Sequence, residues 1–128
     1  MKLAEKCQAE AEGLYRSGHY HCAEAVVETV RRNFAADVPE SVIGAVSGFG
    51  FGSNSGCVCG AVSGGTVALG LVLKDKKETI HLTRELHTWF KEKYDVTCCK
   101  IIRQTHKGVC PVLTGEVAGK IAEMLSRK

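Results

Sequence analysis

Seven cysteines stand in a chain of 128 residues, and six of them, Cys22, Cys57, Cys59, Cys98, Cys99 and Cys110, fall in four segments that read as the beginning or end of a helix. Thiolates bind soft metals and attack disulfides, and a cysteine in the first turn of a helix feels the positive end of its dipole, which favours the thiolate. The polar, glycine-rich turn over residues 52–56 delivers Cys57 and Cys59 to the start of an apolar helix, which Asn54 or Ser55 can cap. Cys22 lies in the first turn of another helix, with His21 beside it and His19 further out. An odd count excludes a fully paired set of internal disulfides. In a reducing compartment so many thiols point to metal binding or thiol redox chemistry.

Helix geometry thins the candidates. Adjacent residues point about 100° apart around a helix axis, so Cys98 and Cys99 do not both reach one ion. Cys57 and Cys59 do so only if residue 57 is still in the turn. About one thiol per segment remains: Cys22, Cys57 or Cys59, Cys98 or Cys99, and Cys110, with His21 a minor substitute whose default is a surface histidine. Four thiolates is the ligand count of a structural zinc site or of a small iron–sulfur cluster. Spacing alone does not choose between them, since paired CxxC knuckles and a tight CxxCxxC run are both absent. Cys7 falls in an apolar helical row and reads as a buried thiol packed like a small hydrophobe.

The elements that must hold these thiols read as helices throughout. Apolar spacing predicts helices over residues 2–17, 19–34, 60–73, 75–95 and 114–126, with a short one after Pro39 and a helical turn near residues 96–102. Residues 41–73 carry no charge, in a chain where 24% of residues are charged. Their nine glycines break the stretch into pieces too short to cross a membrane, so it is expected to be core. Within it, Val58, Val62, Gly65, Leu69 and Val72 share one helix face. Cys59, Ser63, Thr66 and Gly70 share a neighbouring face of small residues that lets another backbone or an inorganic cofactor come close. The Gly48–Phe51 alternation predicts a loop packed on the core, its rings seeking burial. In the helix after Asp75, Ile80, Leu86, Trp89, Phe90 and Tyr94 are expected inward. The fold class is all-α, a compact single-domain bundle of about six helices over residues 1–128 around the central glycine-rich helix.

Composition excludes several function classes. Net charge is only +3, and the basic excess after residue 74 has no interleaved aromatics, so no nucleic-acid platform is expected. No paired carboxylates, Ser-His-Asp arrangement, phosphate loop or dinucleotide fingerprint occurs, and no defined catalytic reaction has support. The N-terminus mixes charges without a signal-like apolar run, which predicts a cytoplasmic protein with no membrane contact. The small-residue helix and the glycine–phenylalanine loop leave a homodimer open.

The string Cys59-Gly60-Ala61-Val62-Ser63-Gly64, followed by Ala68-Leu69-Gly70-Leu71, resembles the CGAxxG signature of the C_GCAxxG_C_C family of redox-active proteins, small helical proteins with four characteristic cysteines. The resemblance runs from about Cys22 to the final helix and implies that the four are Cys22, Cys59, Cys99 and Cys110. His21 stands where many members have asparagine, and Cys7, Cys57 and Cys98 are additional. The resemblance implies redox activity and iron–sulfur binding. The leading expectation is therefore an iron–sulfur cluster on Cys22, Cys59, Cys99 and Cys110, with Cys57, Cys98 or His21 as substitutes, serving electron transfer with a redox partner protein or redox sensing. A metal-free thiol–disulfide protein using a pair such as Cys59 and Cys110, and a zinc-stabilised helical interaction module, are the alternatives.

Overall fold

Two helices share the centre, and each is admitted there by glycine. The computed structural model describes residues 2–127 and is all-α, with seven α-helices among the described residues: α1 (Leu3–Arg16), α2 (Cys22–Phe34), α3 (Val42–Ala45), α4 (Gly60–Leu73), α5 (Lys76–Tyr94), α6 (Cys99–Thr105) and α7 (Cys110–Ser126). The glycine-rich α4 packs on α2, α5 and α7, while α7 packs on α1, α2, α4 and α5. Gly64 lets α4 meet α2 backbone to backbone, since a Cβ there would lie 2.7 Å from the Ala23 carbonyl oxygen. Gly115 does the same for α7 against α1, where a Cβ would lie 2.7 Å from the Gln8 carbonyl oxygen. The small residues of α4 thus serve close helix packing over most of its length.

Between these helices lies one hydrophobic cluster that includes Leu69, Leu86, Phe90, Ile102, Leu113, Ile121 and Met124. Cys7 is fully buried on α1 with Ala11, as its apolar row implied. In α5 the inward row is Leu82, Leu86, Phe90 and Tyr94. Ile80, expected inward, is exposed, because Leu82 heads the row that continues at every fourth residue. Glu28 on α2 is buried with its carboxylate held by Arg31 Nε at 2.7 Å and Arg32 Nε at 2.8 Å. Burial pushes its carboxyl up, but the two arginines outweigh that and hold it below the usual range.

Three local expectations are corrected. α7 begins at Cys110, four residues ahead of Thr114, because Pro111 takes a first-turn position where a missing N–H costs nothing. α4 begins at Gly60 as expected, but its N-cap is Cys59 and not Asn54 or Ser55. Asn54 instead donates to the Gly48 carbonyl at 3.2 Å and Ser55 to the Ser53 carbonyl at 3.2 Å, so neither caps it. Val58 therefore precedes α4 and forms an isolated antiparallel bridge with Cys98, exposed rather than on the buried stripe. Third, residues 47–56 form two tight turns in which Phe51, Ser53 and Asn54 take left-handed backbone angles. Phe49 is half-buried, but the Phe51 ring lies exposed against the Arg103 guanidinium, 4.7 Å from its centroid. A cation over the ring face offers partial compensation for that exposure. No helix among the described residues is long and apolar enough to cross a membrane.

Candidate functional site

α2, α4, α6 and α7 all begin around a single cavity of about 250 Å³, and each brings a cysteine to its wall: Cys22, Cys59, Cys99 and Cys110. Local structure fixes each one. His21 caps α2: its Nδ1 accepts from the Glu24 amide at 3.4 Å while its own amide donates to Glu24 Oε1 at 3.1 Å, a reciprocal capping box. With Nδ1 accepting, Nε2 carries the proton and donates to the Ser47 carbonyl at 2.8 Å. His21 thus lines the cavity with both ring nitrogens engaged, tying the start of α2 to the turn over residues 47–49.

Cys59 and Cys99 are held together by the bridge. The Cys59 amide donates to the Thr97 carbonyl at 2.7 Å and the Cys99 amide to the Cys57 carbonyl. Gly60 then makes room for the thiol opposite, since a Cβ there would sit 2.5 Å from Cys22 Sγ and 2.6 Å from the Phe49 carbonyl oxygen. One cysteine of each neighbouring pair reaches the cavity. Cys57 is exposed, its thiol 3.8 Å from the Ser55 carbonyl, and Cys98 turns its thiol to the Gly56 carbonyl at 3.4 Å. All seven cysteines are free.

Burial governs the charge state of these thiols. It pushes Cys59 up to about 12, helped by the nearby Cys22 and opposed by the amides of Ala61 and Val62. It pushes Cys22 up to about 11 against the amides of Ala23 and Phe51. Cys99 is raised by burial and then by Cys110, with Arg103 opposing. The expectation that helix starts would favour thiolates is therefore corrected for the metal-free protein. The amides act in the predicted direction, but desolvation of a buried sulfur anion is the larger effect.

Sequence reasoning missed three polar neighbours. Tyr15 lines the cavity together with Cys110, and burial, then the nearby Cys110 and Cys22 thiols, raises its phenol. Arg103 lines the cavity beside Phe51. Thr114 also lines it, fully buried, and its Oγ1 has no hydrogen-bond partner. Thr114 follows Cys110 by one helical turn, a signal readable only once α7 is known to start at Cys110. Among the described residues no three His, Cys, Asp or Glu side chains are arranged to hold a single metal ion.

The profile of the C_GCAxxG_C_C family, described as "putative redox-active protein", matches residues 20–124. The chain belongs to this family. The matched span takes in all four cavity cysteines and the CGAxxG stretch at Cys59–Gly64. In this C_GCAxxG_C_C protein the motif glycine Gly60 borders the Cys22 thiol, whereas Gly64 borders α2. Neither curated proteins nor solved structures offer a match.

Proposed function

We propose that the protein is a redox carrier holding an iron–sulfur cluster through Cys22, Cys59, Cys99 and Cys110. The observation that carries this reading is that these four thiols line one cavity of about 250 Å³ while their neighbours Cys57 and Cys98 do not. The donor set is all sulfur, which suits iron–sulfur ligation. A partnerless hydroxyl on Thr114 and a glycine where a Cβ would strike the Cys22 sulfur fit a group that fills the space between them. Zinc fits less well, because it needs four ligands about 2.0–2.3 Å from one point and no three donors among the described residues are so placed. A metal-free thiol–disulfide enzyme needs an accessible thiolate, and burial holds Cys22 and Cys59 as thiols at neutral pH.

When bound, such a cluster exchanges single electrons. The chain's own part is to shed thiol protons on loading, which makes uptake easier as pH rises. His21 and the turn at Ser47 hold the rim in place, and Phe51 with Arg103 forms the exposed side toward which a redox partner protein approaches. A reducing cytoplasm keeps the site's thiols available.

Anaerobic purification followed by reconstitution with ferrous iron and sulfide tests the reading. The expected product is brown, absorbs in the visible, and contains iron and acid-labile sulfide. A colourless, iron-free product, or stoichiometric zinc in its place, overturns it.

A further inference from the structure

We infer that Thr114 Oγ1 donates a hydrogen bond to a sulfur of the bound cluster and raises its reduction potential; this rests on the iron–sulfur reading. Among the described residues three buried hydroxyls lack a partner, those of Thr29, Thr83 and Thr114, and of these Thr114 lines the thiol cavity. A buried hydroxyl without a partner loses its bonds to water and gains nothing in return, so such groups are rare unless something else satisfies them. Thr114 is fully buried, stands one turn past Cys110 on α7 and lines the same cavity as that cysteine.

The direction of the effect follows from charge. One-electron reduction by a donor such as dithionite adds negative charge to the cluster and its sulfurs, and no proton or ligand need move. A hydroxyl donating to a sulfur stabilises the more negative, reduced state more than the oxidised one, which is how hydrogen bonds to sulfurs set potentials. Valine has nearly the shape of threonine without the donor, and serine keeps the donor with a smaller body.

The experiment compares wild type, Thr114→Val and Thr114→Ser, each as metal-free protein and as reconstituted holoprotein. In the holoprotein, Thr114→Val is expected to disfavour reduction about tenfold, which for a one-electron couple is a downward shift of about 59 mV. Thr114→Ser is expected to shift by less than a third of that. In the metal-free protein, Thr114→Val is expected to melt at or above the wild-type temperature, because the lost hydroxyl had no partner to lose.

An unchanged potential in loaded Thr114→Val, or a serine variant shifted as far as valine, overturns this inference while leaving the cluster in place. A metal-free Thr114→Val protein that melts lower than wild type also overturns it, since the hydroxyl would then have a partner in the protein. A wild type that takes up no iron and sulfide overturns the inference together with the reading beneath it.

Discussion

Gly60 and Gly64 lie one turn apart on α4, and neither has room for a methyl group, yet different atoms crowd them. At Gly64 the nearest atoms are the Ala23 backbone oxygen at 2.7 Å and Cα at 2.8 Å; at Gly60 they are the Cys22 thiol at 2.5 Å and the Phe49 carbonyl oxygen at 2.6 Å. Along one face the helix passes from a region where backbones fill all the space to one where they enclose it. In the packed body, glycine brings α2 and α4 together. At the thiol end it makes room for a sulfur. The same residue type therefore supports stability in one place and a site in the other.

Removing a cavity thiol should break the comparison most visibly. Cys59→Ser is expected to leave the reconstituted protein with less than a tenth of the wild-type iron, because one of four ligands to a small cluster is gone. Cys57→Ser, altered two residues away but outside the cavity, is expected to keep all of it. Iron and acid-labile sulfide per chain measure both. Equal iron in the two variants would place the site elsewhere.

The two glycines give the next largest difference. Gly64→Ala pushes a methyl into α2 backbone and is expected to cost about 2–3 kcal/mol, the upper part of the range for overpacking. Gly60→Ala meets the Cys22 thiol and the Phe49 backbone carbonyl, and is expected to cost a comparable ~2 kcal/mol while, unlike Gly64→Ala, lowering iron uptake by half or more. Urea unfolding of the metal-free proteins and iron content of the reconstituted ones separate the two effects. If Gly60→Ala leaves iron uptake intact, the division of labour along α4 is wrong.

That division was only partly legible in the sequence. Helical spacing revealed the packed body, because an apolar residue every third or fourth position can bury one face only as a helix; Val117, Ile121 and Leu125 lie buried as their spacing required. The four segments carrying the cavity cysteines were legible from their place at helix ends, and the choice of Cys59 over Cys57 and Cys99 over Cys98 came from the resemblance. The conformation of residues 47–60 was not legible. Gly52 and Gly56 take left-handed angles as glycines readily do, but Phe51, Ser53 and Asn54 beside them adopt such angles too, and Val58 pairs with Cys98 forty residues away. Such a turn is set by what it packs against rather than by its own residues. Tyr15 was missed for a related reason, since nothing local to α1 says that it lines the same cavity as a cysteine on α7.

The thiols give a smaller, pH-dependent contrast. Cys59 and Cys22 are raised from 9.0 to about 12 and about 11 by burial. In the unfolded chain these thiols ionise near 9, so above that pH the unfolded state binds fewer protons than the folded one. The stability they contribute is therefore full below about pH 9 and is lost as pH climbs toward the folded values. The Cys59 part should be about 1.4 kcal/mol per pH unit, and Cys59→Ala should remove that part of the slope between pH 9 and 10.5. A metal-free protein with flat stability over this window would show that the cavity is wetter than its buried thiols imply.

Glu28 sharpens the contrast from the other side, as a buried ionisable group in the packed body that has partners. Its carboxyl is held below the usual range because Arg31 and Arg32 outweigh the burial that would raise it. The sign is opposite to that of the thiols: its contribution is present above the ordinary carboxylate range and is lost as pH falls through the lowered folded value. Glu28→Gln keeps an acceptor but loses the charge, while Arg31 keeps the Val38 carbonyl and Arg32 the Glu10 carboxylate as partners. The expected cost is about 1 kcal/mol at pH 7, shrinking on acidification until variant and wild type unfold alike. Iron uptake should not change, because Glu28 does not line the cavity. Urea midpoints at pH 7 and pH 3.5, read beside the iron content, test both halves. A Glu28→Gln protein that keeps its fold but loses iron would mean that the two regions are coupled through α2.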